Sequence, residues 1–246
     1  MPTIISGTLN ISGETSSGLI VEGTLNVLAG GTAIGTTVEF IDAQEVIFSG
    51  GVASATAVNQ SSSEIISSGG KAFATTVEGA SAAELVMSGG IASGTVVTFL
   101  GAETVFAGGT AIGTILLGGG QDVIGTAIAT TISGAPGLQD IGEDGIASGT
   151  VVAGGGGVDV GGTAIGTTVN GGGEEVADAG GTTFGTTVNF NGEEFVQHGG
   201  TAVGTTVNFN GLQTVKGGPD RAFFRLPAAR PSIQRSIAAA SRTSTA

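Results

Sequence analysis

The 246-residue sequence contains no Cys, Trp or Tyr and only one His, and 11% of its residues are charged. The absence of Cys excludes disulfide bonds. A single histidine, His198, cannot form a Cys/His set for a transition metal, so we expect it at the surface. Uninterrupted apolar runs are short, and no segment is predicted to cross a membrane as a helix.

Basic residues are also scarce, and they are unevenly placed. Residues 1–218 hold 19 of the 20 acidic residues but only Lys71 and Lys216, which leaves a net charge of −17. Residues 219–246 carry +4. So acidic a body repels nucleic acid and anionic lipid. We therefore expect no nucleic-acid partner and no membrane insertion, and the ionic partners that fit this charge are cations.

Glycine is abundant instead, with 48 residues, and much of it lies in a repeated Gly-Gly pair. The second glycine of each pair, or its equivalent, recurs every 16–20 residues: Gly13, Gly31, Gly51, Gly70, Gly90, Gly109, Gly125, Gly145, Gly162, Gly181, Gly200 and Gly218. A repeat near 20 residues indicates a solenoid. The lack of a G-X-Y period excludes collagen, and a mean hydropathy of +0.40 argues against disorder.

The positions after each glycine mark are regular enough to assign faces. From Gly31 onward, the seventh position is always aliphatic, and the fifth is always Thr: Thr36, Thr56, Thr75, Thr95, Thr114, Thr130, Thr150, Thr167, Thr186 and Thr205. Gly and β-branched residues disfavour helix. Each unit is therefore predicted as short strands joined by tight turns, stacked as a parallel β-helix of about eleven coils. The two-residue offset from the aliphatic column favours inward threonines, although an outward column stays open.

The repeat also divides the chain. Residues 1–12 are predicted as an N-terminal half-coil that caps the stack, and residues 13–218 as the β-helix. At Pro219 the pattern stops, and we expect no further strand pairing. Residues 219–246 then form a basic, disordered tail, a basic arm that folds back on the rod, or an out-of-frame extension that follows a truncated repeat.

The units GGTAIGTTVN, GGTTFGTTVN and GGTAVGTTVN resemble the strand-loop-strand repeat of AIDA-type autotransporter passenger domains, over about residues 13–218. The resemblance implies an all-β, right-handed parallel β-helix, at the surface of a Gram-negative cell or outside it, that acts in adhesion, self-association or biofilm formation. Its partners would be copies of itself on neighbouring cells, or host or abiotic surfaces.

The same resemblance implies O-glycosylation with heptose, for which the candidates are Thr37, Thr76, Thr168, Thr187 and Thr206. Two features depart from the family. MPTIISGTLNISG has no basic or apolar region of a standard secretory signal peptide, and no run of amphipathic strands that suits a translocator barrel follows the repeats.

One column of acidic residues is the sharpest polar feature of the repeat. It precedes the second apolar segment of each coil and comprises Glu45, Glu64, Glu84, Glu103, Asp122, Asp140, Asp159, Glu175 and Glu194. The column is interpreted as a solvated rim that keeps the rod soluble. The alternative is weak binding of a hard divalent cation such as calcium, bridged by oxygens of successive coils.

Other functional classes are less well supported by the residues. Carbohydrate-cleaving β-helices need a cleft with clustered acids and a basic partner, which this composition lacks, so no catalysis and no cofactor are expected. A stalk that holds a missing domain away from the cell is the main alternative to adhesion. Ice binding is a further alternative, but only if the Thr column faces outward.

Overall fold

The computed structural model describes residues 2–216 and the backbone of residues 222–225. Within these residues every regular element is a strand, and each coil passes through three sheets in turn. The all-β, parallel solenoid is therefore confirmed. No helix among the described residues is long and apolar enough to span a membrane.

The three sheets run along the rod, and successive coils are neighbours in each of them. The first sheet comprises Thr3–Ile5, Leu19–Val21, Thr37–Val38, Ala57–Val58, Thr76–Val77, Val96–Thr98, Ile115–Leu117, Thr131–Ser133, Val151–Ala153, Thr168–Val169, Thr187–Val188 and Thr206–Val207. The second comprises Thr8–Ile11, Thr24–Val27, Gln44–Ile47, Ser63–Ile66, Ala83–Val86, Ala102–Val105, Gly120–Val123, Leu138–Ile141, Gly157–Val160, Glu174–Ala177, Glu193–Val196, Leu212–Val215 and Ala222–Arg225. The third comprises Thr15–Ser17, Thr32–Ile34, Val52–Ser54, Lys71–Phe73, Ile91–Ser93, Thr110–Ile112, Thr126–Ile128, Ile146–Ser148, Thr163–Ile165, Thr182–Phe184 and Thr201–Val203.

Pairing between coils is parallel, so equivalent residues stack on one another. Val38 pairs with Val58, and Ala53 pairs with Ala72. Neighbouring strands in a sheet lie roughly 4.8 Å apart, and the rod is therefore about 50 Å long. The predicted half-coil, residues 1–12, supplies the end strands of the first and second sheets, while Thr15–Ser17 ends the third.

The C-terminal end differs from the expectation at Pro219. The backbone of Ala222–Arg225 pairs with Leu212–Val215, but in the antiparallel direction. The last parallel strand of a sheet offers free N–H and C=O groups, and a reversed strand can use them. The other residues of the predicted tail, 219–221 and 226–246, lie outside the described part of the chain.

The core is a narrow stack of small and branched side chains. The third sheet contributes alanines such as Ala53 and Ala92, and the first sheet contributes valines such as Val58 and Val97, all without measurable exposure. A fully buried Val contributes about 1.5–3 kcal/mol relative to an exposed one. The predicted Thr column faces this core in all ten coils, with exposures of 1–8%. The inward orientation is thus confirmed, and the basis for ice binding by this column is removed.

Glycines at the corners meet two different constraints. Gly51 lies against the coil below, where an added Cβ would collide with the carbonyl oxygen of Val27. Gly35 has a φ of +63°, but nothing lies within 4 Å of an added Cβ. Ala55 and Ala74 occupy the place of Gly35 in the next two coils, also with positive φ.

We expect Gly51→Ala to destabilise the rod more than Gly35→Ala. Gly35→Ala adds only the left-handed backbone penalty, about 1–2 kcal/mol. Gly51→Ala sets a Cβ against a backbone carbonyl that cannot move aside, so we expect a cost at or above the upper end of the usual overpacking range of about 1–3 kcal/mol. Urea unfolding of both variants, followed by circular dichroism, measures the difference. Equal losses would contradict the steric role of Gly51.

Candidate functional site

The second-sheet strands place a column of polar side chains inside the rod. From Gln44–Ile47 to Leu212–Val215, the second residue of each strand faces inward and forms what we call the inner column: Glu45, Glu64, Glu84, Glu103, Gln121, Gln139, Val158, Glu175, Glu194 and Gln213. Its six glutamates are 0% exposed. The solvated-rim interpretation is therefore wrong for Glu45, Glu64, Glu84, Glu103, Glu175 and Glu194.

The residues of the predicted acid column also belong to two separate columns, one on each face of the second sheet. Asp122 pairs with Thr104 and Asp140, and Asp140 pairs with Asp159, on the outer face of the second sheet. A shift of one residue along a strand moves a side chain to the opposite face. Counting back two residues from the buried Val105 and Val123 would have found the inner members, which are Glu103 and Gln121.

Inward threonines donate hydrogen bonds to the buried glutamates of the N-terminal coils. Each donor lies eleven residues after its acceptor. Thr56 Oγ1 donates to Glu45 Oε2 at 2.9 Å, and Thr75 Oγ1 donates to Glu64 Oε2 at 2.7 Å. Thr114 Oγ1 donates in the same way to Glu103 Oε2 at 2.9 Å. The conserved spacing of the two columns within the repeat thus becomes a Thr–Glu network inside the rod.

The same network continues towards the C-terminal end. Thr186 Oγ1 donates to Glu175 Oε2 at 2.8 Å. Glu194 accepts from Thr183 at 3.0 Å and from Thr205 at 3.3 Å, both at Oε1. Thr183, which breaks the Ala column of the repeat, therefore supplies an extra donor to a buried carboxyl group.

Glutamines complete the hydrogen bonding in the middle of the inner column. Gln121 Nε2 donates to Glu103 Oε2 at 2.6 Å, and Gln139 Nε2 donates to Gln121 Oε1 at 2.7 Å. Thr130 and Thr150 donate to the amide oxygens of Gln121 and Gln139 at 3.0 and 2.9 Å. An amide carries both donors and acceptors, so this stretch forms an uninterrupted chain of hydrogen bonds.

Burial changes the acid–base properties of the glutamates. Loss of water raises the pKa of Glu45 to about 8, and the neighbouring Glu64 charge adds to the effect. Burial likewise raises the pKa of Glu175 to about 7, with a contribution from Glu194. The pKa of Glu84 is raised well above its usual value by burial and then by Glu103 and Glu64. Burial of the inner column therefore favours the protonated form of these carboxyl groups.

The outer acids lie on the opposite face of the second sheet, near a shallow groove lined by Leu138, Asp159 and Glu174. Partial burial raises the pKa of Asp122, with the Asp140 charge as the second cause. Within residues 2–216, no group of three or more His, Cys, Asp or Glu is arranged to hold a metal ion. Calcium binding by the acid column stays a prediction.

The five glycosylation candidates share one face. They lie on outward positions of the first sheet and are half-buried: Thr37, Thr76, Thr168, Thr187 and Thr206.

Corner phenylalanines are more exposed than these threonines, and Phe190 and Phe209 stack with ring centroids 6.1 Å apart. Phe40 and Phe99 are 56% and 59% exposed.

The outer face of the third sheet is nearly free of charge. We call it the third-sheet face; it consists of the first and third residues of each strand. The first position is mostly Thr, and the third alternates between Ser and large apolar residues, with exposures near 40%: Ile34, Phe73, Ile112, Ile128, Ile165, Phe184 and Val203. Lys71 is the one charged residue among these positions in residues 15–203.

We expect the melting temperature to fall as pH rises from about 5 to 9. The folded-state pKa values of Glu45 and Glu175, about 8 and about 7, lie above the ordinary 4.5. Their contribution to stability is fully present below pH 4.5 and is lost as pH rises through 7–8. A fall of about 5 °C or more is expected for a chain of this size. A midpoint that rises with pH over this range would contradict the buried, protonated column.

Comparison with known proteins supports the fold and the family resemblance of the repeats. No protein-family model matches the chain, and no curated protein sequence matches it. A solved structure described as a TibC-catalyzed hyper-glycosylated TibA fragment matches with a TM-score of 0.50 and 25% sequence identity, over 89% of this chain and 97% of that chain. The resemblance to AIDA-type autotransporter passengers is thereby confirmed, and the chain has a parallel β-solenoid fold.

Proposed function

We propose that this rod acts at the bacterial surface or outside the cell, in adhesion, self-association or biofilm formation. The supporting observation is the third-sheet face. It extends over eleven strands and carries one charge, Lys71, on a body whose residues 1–218 have a net charge of −17. Two copies that meet on this face place no carboxylate rows opposite one another, which limits repulsion at contact.

Repetition gives such a face its affinity. Every strand of this face except Lys71–Phe73 offers a Thr hydroxyl or a branched aliphatic side chain, and neighbouring strands lie roughly 4.8 Å apart. Contacts that are individually weak add up when many engage together. The kinship with adhesin passengers agrees with this role.

The role we propose is non-catalytic. The four consecutive stacked glutamates of the inner column, Glu45, Glu64, Glu84 and Glu103, are 0% exposed, where no substrate reaches them. A spacer that only holds another domain away from the cell is the alternative, and it makes no use of the third-sheet face.

Charges placed on the third-sheet face test the adhesive role. Ile128→Asp with Ile165→Asp puts two carboxylates on this face, whereas Ile115→Asp puts one on the first sheet at a similar exposure, 38% against 40% and 43%. We expect the double variant to weaken self-association about tenfold or more, because two carboxylates must lose water at the contact. A tenfold loss corresponds to about 1.4 kcal/mol of binding free energy. The control should stay near wild type.

Self-association is measured by sedimentation velocity of the purified chain and by settling of cells that display it. Circular dichroism checks that each variant is folded. If all variants associate and settle like wild type, the third-sheet face is not the contact surface and the spacer role is favoured.

We further propose that the outward first-sheet threonines are glycosylation sites. The similar TibA fragment is described as hyper-glycosylated by TibC, and Thr37, Thr76, Thr168, Thr187 and Thr206 reach solvent on one sheet. Treatment of this chain with TibC and its sugar donor should add mass that peptide sequencing maps to these residues. The buried Thr36, Thr75 and Thr167 should stay unmodified. Sugars confined to other faces would contradict the assignment.

A further inference from the structure

The N-terminal half of the inner column has fewer hydrogen-bond donors than its carboxyl oxygens need. Glu45, Glu64, Glu84 and Glu103 are stacked in register, each on the next. An ionised carboxylate only accepts hydrogen bonds. Oε1 of Glu45, Glu64 and Glu103 and both oxygens of Glu84 are buried without a partner. Leaving such groups unpaired is destabilising, and more so when they are charged.

The glutamines of the inner column show how a stacked neighbour can supply the missing donor. At each Gln of the column, the amide nitrogen donates a hydrogen bond to a side-chain oxygen of the preceding column residue. Gln121 and Gln139 do so at 2.6 and 2.7 Å, and Gln213 donates to Glu194 Oε2 at 2.8 Å. A protonated carboxyl group has nearly the shape of this amide and also carries one donor. A protonated glutamate can therefore donate a hydrogen bond to a stacked glutamate, as the Gln amide donates to its neighbour in the column.

No other buried group can neutralise these carboxyls. The interior of residues 33–111 is otherwise lined by Ala, Val and Ile side chains, with Thr and Ser hydroxyls. All buried charged side chains in residues 2–216 are glutamates of the inner column. Lys71 is exposed, as is Glu78, and Glu39 is half-buried on the outside. Only a proton, or a cation that enters the dry interior, can supply the missing positive charge.

We propose that Glu45, Glu64, Glu84 and Glu103 form a proton-binding column, whose protonated carboxyl groups donate along the rod and hold these coils closed. Loss of the protons at alkaline pH leaves stacked carboxylates in the interior and opens this part of the rod. Burial, which raises the pKa of all four, agrees with this assignment. The column is a property of the interior and goes beyond the adhesive role of the surface.

Opening should be local, because a solenoid coil contacts only its neighbours and can open in part. The coils of residues 115–160 carry Gln121, Gln139 and Val158 in the column and bury no carboxyl group. They provide an internal reference within the same molecule. The pH response is therefore expected in residues 44–105, and secondarily around Glu175 and Glu194.

Hydrogen exchange of the full chain, read by mass spectrometry from pH 5.5 to 8.5, tests the proposal. After correction for intrinsic exchange rates, the opening constant of residues 44–105 should rise about tenfold per pH unit for each proton released on opening. Residues 115–160 should stay nearly constant. An equal response of the two segments would overturn the proposal, and this comparison needs no variant.

Glu84→Gln supplies the missing donor, and we expect it to restore protection of residues 64–105 at pH 8.5 about tenfold or more. Glu78→Gln is the matched control, because it removes a carboxyl group from the same coil on the outside. If Glu84→Gln does not fold, Glu64→Gln makes the same change one coil earlier. Variants that exchange like the control would overturn the proposal.

Calcium at pH 8.5, with a chelator as control, distinguishes a proton from a metal ion. We expect neither reagent to change the protection of residues 44–105. Protection that calcium restores and the chelator removes would assign the column to a cation and overturn the proton assignment. The infrared carbonyl band of a protonated carboxylic acid should be present at pH 7 and weaker in Glu84→Gln.

Discussion

In-register parallel pairing of each coil with the next is the constraint on which the structure depends. It places equivalent residues of the repeat directly above one another, at roughly 4.8 Å. Every choice of residue at one position is thereby multiplied into a column. A column of Val or Ala packs well, since like apolar side chains fill the same narrow layer. A column of Gly allows the tight approach at Gly51 and its equivalents.

Polar columns are more demanding, because stacked copies of one group must satisfy each other. Thr and Gln can do so, since each is both donor and acceptor. Glu can do so only with a proton. The inner column shows both solutions side by side, with the Gln121–Gln139 amide pair directly after Glu103. Buried networks of this kind are valuable when complete and costly when incomplete. Protonation therefore links the stability of the rod to pH.

The outside of the rod follows the same rule with a different result. Stacked acids on the second sheet repel one another but remain hydrated, as Asp122 and Asp140 do. The third-sheet face instead stacks Thr with Ile, Phe or Ser and carries hardly any charge. One repeat thus produces an acidic face and an uncharged face on a single rod, and this division supports surface association through one side.

The sequence by itself determined the architecture. A Gly mark every 16–20 residues, an aliphatic column and a Thr column indicated a parallel solenoid, and the two-residue offset favoured threonines inside. It also pointed to the acids as the unusual feature. What it did not decide was their face, since Glu103 lies two residues before Val105 and Asp122 lies one residue before Val123, yet both precede the second apolar segment of their coil.

Only the tertiary structure decided this, because a difference of one residue reverses the side of the sheet. The register places Gln121, not Asp122, above Glu103. Closure of three sheets then shields the glutamates completely, so that an expected rim of charges is instead a buried network in which burial raises the carboxyl pKa values. The local sequence pattern specifies which residues alternate along a strand. The burial and pKa of a glutamate depend instead on the other two sheets that cover its strand in each coil.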